Sequence, residues 1–192
     1  YSRRAPGNTC ISALKGGTPG CMNDPKNNSK GCGGIMRVAP LGLWHNFHGE
    51  LKELDREGAE IAAITHGHPL GYMSASALVH IINRIVCPGR EMTLKENVLE
   101  AKETMAKLFS GEPYLSTLVR MMELAVALSE NGEGDLDNIH RLGEGWVAEE
   151  TLGIAIYCAL KYQDDFSAGV AAAVNHSGDS DSTGAVTGNI LG

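Results

Sequence analysis

The sequence predicts an all-α fold in a single domain. Apolar residues recur three and four positions apart over several long segments, which is the spacing of one helix face. No segment alternates apolar and polar residues over more than a few positions, as a half-buried strand would. The chain has 192 residues, which is enough to bury one substantial core.

The first 34 residues are rich in turn-forming residues, and they contain one short predicted helix, Thr9–Leu14. The glycine-rich stretch 31–34 then leads into a predicted helix over Ile35–Trp44. Pro40 should bend or interrupt this helix, because proline has no backbone N–H to donate.

Six longer or better-patterned helices should follow. The apolar spacing predicts them over Glu50–Thr65, Gly71–Val86, Thr93–Phe109, Leu115–Leu128, Val147–Leu160 and Phe166–Val174. The second of these is nearly apolar all round, which predicts that it is buried. Asp164 or Asp165 should cap the last one, and the acidic segment Asn131–Asp137 is interpreted as a link between helices.

Composition excludes several classes of function. The net charge is −7 without a basic patch, which argues against nucleic-acid binding, and no apolar run is long enough for a membrane span. The five cysteines are scattered and form no C-x-x-C pair, so free thiols in a reducing compartment are expected. No signal-peptide pattern opens the sequence, and we expect a cytoplasmic protein.

The most informative stretch is the last one, residues 175–192. If a helix begins here, the carboxylates of Asp179 and Asp181 and the hydroxyl of Ser182 crowd together at its first turn. Hard oxygen ligands of this kind suit Mg²⁺, Mn²⁺ or Ca²⁺ rather than zinc. Three glycines spaced four apart should lie on one face and let the helix pack closely on a neighbour: Gly184, Gly188 and Gly192.

Three other interpretations of this stretch compete with a cation site. A capped helix with an acidic first turn would need no ligand at all, and the residues alone leave it open. An EF-hand loop needs a glutamate where Ile190 stands, so it fails. A D-x-D-x-T phosphatase nucleophile follows a buried strand, whereas the alanine-rich run 168–174 favours a helix.

Four further places could carry chemistry. The loop 29–34 would present backbone N–H groups to an anion such as a diphosphate, or it is only a tight turn. His66 and His68 flank Gly67 at a helix end, where they either cap the helix or bond a substrate.

Trp146 is either a core anchor or a platform on which a base stacks. Glu149 and Glu150 are acids at a helix start, a position that is usually solvated.

Taken together, these stretches resemble the ADP-ribosylglycohydrolase family. The matching pieces follow the family's order across almost the whole chain: R-R-A-P-G-N-T-C (residues 3–10), G-C-G-G-I-M-R-V-A-P (31–40), T-H-G-H-P (65–69), G-E-G-W-V-A-E-E-T (143–151) and H-S-G-D-S-D-S-T-G-A (176–185). The last piece is highly specific and the second moderately so.

The resemblance implies an orthogonally packed all-α fold that holds two Mg²⁺ or Mn²⁺ ions. It implies hydrolysis of the bond between ADP-ribose and an acceptor, in an ADP-ribosylated protein or a small ADP-ribosyl substrate. By the family's motif, Asp179 and Asp181 would be the catalytic carboxylates and, with Ser182, metal ligands. The diphosphate would lie on Ser29, Gly31, Cys32, Gly33 and Gly34, with His66 beside its ribose end and Trp146 on the adenosine side.

One departure from the family pattern affects the expected activity. Members carry a glycine-rich helix with an acidic residue and a T-D-D-T segment before the R-A-P-G-N-T-C stretch, and neither occurs in this sequence. We therefore expect residues 1–192 to be one incomplete domain, with weak metal binding and little turnover. A non-catalytic relative that binds ADP-ribose or is purely structural is the alternative, and hydrolysis of a related ribosyl nucleotide is a third possibility.

Overall fold

The structure is a computed structural model that describes residues 6–44, 50–87 and 91–192. These residues form ten α-helices: α1 (Asn8–Lys15), α2 (Ala39–Gly42), α3 (Leu51–Ala63), α4 (Pro69–Val86), α5 (Leu94–Leu108), α6 (Leu115–Ser129), α7 (Asp135–Leu142), α8 (Ala148–Lys161), α9 (Phe166–Val174) and α10 (Ser180–Leu191). Over the described ranges there is no strand, only two isolated bridges. The predicted all-α class is confirmed.

Two buried helices form the centre of the fold. α4 packs against α3, α5 and α8, and α8 packs in turn against α6, α9 and α10. Both are buried along most of their length, as the nearly apolar sequence of α4 predicts. Within the described parts of the chain, no helix is both apolar and long enough to reach across a bilayer.

The predicted helix over Ile35–Trp44 is wrong as a single element. A 3₁₀ turn over Ile35–Arg37 is followed by the short α2, with Pro40 in its first turn. Proline suits that position because the first helical N–H groups have no intrahelical partner. Pro40 therefore begins a helix instead of bending one.

Helix α7 was not expected, because its first residues were interpreted as part of a link. Gly132 and Gly134 precede it, and acidic residues occupy its first turn, where they suit the positive end of the helix. The apolar signal was short but present, since Ile139 and Leu142 are buried three positions apart. Asp135 fixes α7 to α8 by accepting hydrogen bonds from Tyr157, Lys161 and Tyr162.

The predicted glycine face of α10 is only partly right. A Cβ at Gly184 would come within 2.4 Å of Val174 in α9, so this glycine does allow close packing. Gly188 has nothing within 4 Å of the same position, and Gly192 lies at the C-terminal cap of the helix. One glycine of the three makes the close contact with the neighbouring helix.

Candidate functional site

A hydrogen-bonded cluster joins the start of α10 to the glycine-rich loop 29–34. The Cys32 thiol and the Ser182 hydroxyl both donate to Asp179 Oδ2, each at 2.9 Å, and Ser182 Oγ lies 3.3 Å from Cys32 Sγ. Asp179 and Ser182 are buried, whereas Asp181 is exposed. Residues 147 positions apart in the sequence thus meet at one carboxylate oxygen.

The charges of this cluster are set by the same contacts. Burial alone would raise the pKa of Asp179, but hydrogen bonds from Cys32, Asp181 and Ser182 outweigh it and lower the pKa. The Asp179 carboxylate in turn raises the pKa of Asp181. Burial, and then the hydrogen bond to Asp179, raise the pKa of the Cys32 thiol to about 11. Asp179 is therefore the permanent anion here, and Cys32 stays a thiol at neutral pH.

His66 lies directly under the loop. A Cβ at Gly33 would be 3.1 Å from His66 Cε1, and a Cβ at Gly31 or Gly34 would be 3.5 Å from the imidazole. His66 is 2% exposed, and its Nδ1 is 2.8 Å from Thr65 Oγ1. Gly33 makes the tight approach, whereas Cβ atoms at Gly31 and Gly34 would be in ordinary contact with the imidazole ring.

The loop is held in place by the segment that precedes α8. Cys32 N–H donates to the Trp146 carbonyl at 3.3 Å, and Ala148 N–H donates to the Lys30 carbonyl at 2.8 Å. Gly31 N–H donates to Ser29 Oγ at 3.3 Å. Among the described residues, neither Gly33 nor Gly34 finds an acceptor for its N–H. Gly33 is half-buried and Gly34 is buried, so the Gly33 donor is the more accessible of the two to an anion.

The side chain of Trp146 points away from the core. It is 57% exposed, although its carbonyl belongs to the loop pairing. Of the two interpretations, the core anchor is wrong, and a stacking role stays a prediction.

The two histidines differ in their surroundings. His68 does not end α3 but begins α4, where its Nδ1 accepts from Leu70 N–H at 3.1 Å. Burial, and then the charge of Arg37, lower the pKa of His66 to about 4. His66 is therefore neutral at physiological pH.

The two acids at the start of α8 are less solvated than such pairs usually are, since Glu149 is buried and Glu150 is half-buried. Glu149 is 3% exposed, forms an ion pair with Lys30 and leaves Oε2 without a partner among the described residues. Glu150 accepts from the N–H groups of Glu144 and Gly145, both at 3.1 Å. Sequence reasoning missed the pair with Lys30, for which the only signal was an opposite charge in the loop.

One large cavity is not lined by the predicted substrate residues. It has a volume of about 860 Å³ between α7 and the turn that joins α9 to α10. Gly143 and Glu144 line it, together with His140, Arg141 and His176. No residue of the loop 29–34 lines it, so it is distinct from the proposed anion site.

The first turn of α10 has the donor chemistry of a hard divalent cation site. Asp179, Asp181 and Ser182 supply only oxygen atoms, and the 2.9 Å contact between Asp179 and Ser182 shows that two of them already converge. No three histidine, cysteine or acidic side chains in the described ranges converge on one point. These residues could hold one side of the coordination shell of a cation, and its other ligands would have to come from elsewhere.

Fold and site together define an all-helical protein with a polar centre, in which a carboxylate cluster faces a glycine-rich loop. The model of the ADP-ribosylglycohydrolase family matches residues 1–192, so the chain belongs to this family. All five predicted motif pieces lie within the described residues, apart from the start of the first piece. Its residues Arg3, Arg4 and Ala5 fall outside the described ranges.

A relative from Archaeoglobus fulgidus, named only as an uncharacterized protein, is 30% identical over 170 residues. The match covers 84% of this chain and 48% of the relative. The chain thus spans about half the length of the curated relative that it matches.

Proposed function

We propose that this chain forms part of a Mg²⁺- or Mn²⁺-dependent hydrolase that cleaves the glycosidic bond between ADP-ribose and an acceptor. The acceptor would be an arginine guanidinium nitrogen, a serine oxygen or a small molecule. The observation that carries the proposal is the contact between Cys32 of the loop and Asp179 of the acidic cluster. It brings an anion-binding loop and hard oxygen ligands side by side, as a diphosphate next to a metal-held ribose requires.

Each group of residues would have a different role in binding the cations and the substrate. Asp179, Asp181 and Ser182 would hold the cations, two of them in the complete site, which supply Lewis acidity when bound. Gly33 and Gly34 would donate their available N–H groups to the diphosphate. His66 would support the loop at the diphosphate–ribose end as a neutral ring, and the exposed Trp146 would cover the adenosine side.

The reaction would pass through the kind of transition state found in other glycoside hydrolyses. The anomeric carbon develops oxocarbenium character, and the Asp179 carboxylate, anionic and buried, would stabilise that charge and orient the attacking water. Because three protein oxygens fill only part of a six-ligand shell, the rest must come from water, substrate or other segments. We propose a cytoplasmic location, which the five free thiols support.

A non-catalytic ADP-ribose-binding relative is the second candidate. It is favoured by the absence, over the described ranges, of any convergence of three histidine, cysteine or acidic side chains. The two candidates agree on the loop and differ only on turnover.

Release of ADP-ribose from an ADP-ribosyl-arginine protein tests the proposal. The assay is run with Mg²⁺ or Mn²⁺ and with EDTA, on the 192-residue chain and on a version extended by an upstream segment that carries T-D-D-T. Release by the extended version only with metal is the expected result. Binding of ADP-ribose without release by either version would establish the second candidate.

A further inference from the structure

A second cavity lies where α4, α5 and the end of α10 meet, and it has a volume of about 290 Å³. Arg84 of α4 and Asn97 of α5 are among the polar side chains that line it. Apolar side chains of the three helices complete much of its wall: Ile85, Leu94, Ile190 and Leu191. A cavity of this size, with apolar walls and a few polar groups, suits a small molecule with a single ring.

Two polar atoms of these side chains have no hydrogen-bond partner within the described ranges. Asn97 is 3% exposed, and its Oδ1 accepts from no described residue. Arg84 donates from a terminal nitrogen to Glu100 Oε1 at 2.7 Å, but its buried Nε–H finds no acceptor in the same part of the chain. Most buried polar groups are paired, because an unpaired one costs free energy. A molecule in the cavity that supplied one donor and one acceptor would remove this cost.

The two unpaired atoms define the chemistry of such a molecule. A planar amide group carries an oxygen that accepts and an N–H that donates, side by side. A carboxylate offers acceptors only, and it would bring a negative charge to a guanidinium that Glu100 already neutralises. The unpaired acceptor on Asn97 and the unpaired donor on Arg84 therefore favour an amide over an acid.

We propose that this cavity is a second binding site, which takes a small neutral molecule with an amide group on an apolar ring. The amide oxygen accepts from Arg84 Nε–H, and the amide N–H donates to Asn97 Oδ1. The site is separate from the proposed cation site, because Leu191 follows Ser182 by nine residues, which is about 13 Å along α10. The inference does not depend on the proposed hydrolase function.

NMR titration of the 192-residue chain with benzamide tests this assignment. Acetophenone is the matched ligand, because it keeps the ring and the carbonyl and replaces the amide NH₂ by a methyl group. Benzoate keeps the ring but presents only acceptors. Benzamide should bind at least about tenfold more tightly than either, since a site with a buried acceptor rejects analogues that leave it unpaired.

Two substitutions assign the contacts to atoms. Asn97→Leu removes the acceptor at similar volume, so benzamide and acetophenone should then bind equally. Arg84→Lys keeps a cation for Glu100 and removes the Nε–H donor, so both ligands should bind more weakly by a similar factor. Arg141→Lys is the matched control, because Arg141 also pairs with a glutamate, Glu133 at 3.0 Å, and does not line this cavity.

Three results would overturn the assignment: no binding of benzamide by the wild type, equal affinity for benzamide and acetophenone, or tighter binding of benzoate. An Asn97→Leu protein that folds and still prefers benzamide would also overturn it. That variant should fold, because an apolar group of similar shape in place of an unpaired polar one is close to neutral for stability. Circular dichroism checks the fold of each variant, and the comparison of the three ligands on the wild type tests the proposal without any variant.

Discussion

The carbonyl of Glu144 accepts a hydrogen bond of 2.7 Å from the N–H of Asp179. Two residues further on, the carbonyl of Trp146 accepts from the N–H of Cys32. The segment Glu144–Trp146 therefore holds both halves of the candidate site by their backbones. The Cys32–Asp179 contact is a result of this arrangement, and substitutions that move the segment should disturb both halves.

Gly178 is the position at which this arrangement is most sensitive. A Cβ there would stand 1.9 Å from Glu144 O, which is backbone and cannot rotate away. Gly178→Ala should therefore lower the free energy of unfolding by about 3 kcal/mol, near the upper end for overpacking. Urea unfolding with circular dichroism measures this.

Gly188→Ala is the matched control, because nothing lies within 4 Å of its Cβ position inside α10. Alanine is the better helix former, so this variant should gain about 0.5–1 kcal/mol. Equal effects of the two substitutions would show that Gly178 does not fit tightly against Glu144.

The fold was largely predictable, because its signals are local. The apolar spacing placed α3, α4, α5, α6, α8 and α9 within about two residues of their bounds, which is the usual uncertainty at helix ends. The errors occurred where local signals compete. Pro40 can bend a helix or begin one, and the acidic residues before Leu142 can belong to a link or to a first helical turn.

The ion pair between Lys30 and Glu149 should contribute more to the free energy of unfolding than an ion pair on the surface. Glu149 is 3% exposed, and within the part of the chain that the structure describes one of its oxygens already has no partner. Removal of Lys30 would therefore leave a buried carboxylate without its cation. Lys30→Ala should destabilise the protein by about 2 kcal/mol, less than a fully buried pair because the lysine is partly exposed.

Lys95 pairs with Glu130, and both of these side chains are largely exposed. Lys95→Ala should therefore change the stability by less than about 0.5 kcal/mol. Thermal unfolding of the two variants compares the contributions of the two ion pairs to stability. A Lys30→Ala protein as stable as Lys95→Ala would contradict the larger contribution of the Lys30–Glu149 pair.

Asp135 should hold α7 against α8. It accepts from Tyr157 at 2.6 Å, from Tyr162 at 2.7 Å and from Lys161 at 2.8 Å. Asp135→Ala removes all three hydrogen bonds and should cost about 2–3 kcal/mol. Hydrogen exchange should show faster exchange over α7; a loss of protection spread evenly over all helices would argue against a local role.

Asp179 should be indispensable for turnover but not for the fold. Asp179→Asn keeps an oxygen that accepts from Ser182 and removes the negative charge that a cation requires. In the extended version, metal-dependent ADP-ribose release should fall by at least about 100-fold, which corresponds to about 2.7 kcal/mol. Asp164→Asn, at an exposed position outside the cluster, should release ADP-ribose like the wild type.

The candidate site was predictable in its parts and not in its connections. Asp179, Asp181 and Ser182 stand together in the sequence, so their convergence at a helix start follows from local geometry. The contact of Cys32 with Asp179 spans 147 positions, and no local pattern specifies it. The burial of Glu149 is also a tertiary effect, because Lys30 reaches it only when the loop pairs with residues 146–148.

Acid should destabilise the protein through His66. Burial and the charge of Arg37 hold its folded-state pKa at about 4, below the value of about 6.5 in an unfolded chain. Between these pH values the unfolded chain binds a proton that the folded protein does not, so the free energy of unfolding decreases as the pH falls from 6.5 to 4.

The total loss from this one group should approach about 3 kcal/mol, at 1.36 kcal/mol for each unit of pKa. Carboxylates also titrate in this pH range. Their contribution to the stability cancels when the wild type is compared with His66→Gln by urea unfolding at each pH. The difference in free energy of unfolding between the two proteins should be smaller at pH 4 than at pH 7, or should change sign. The reason is that only the wild type has an imidazole that takes up a proton on unfolding. Gly188→Ala, which adds no ionisable group, should run parallel to the wild type across the range. A constant difference between wild type and His66→Gln would mean that His66 is as easily protonated in the folded protein as in the unfolded chain, and the loop would then rest on a charged ring.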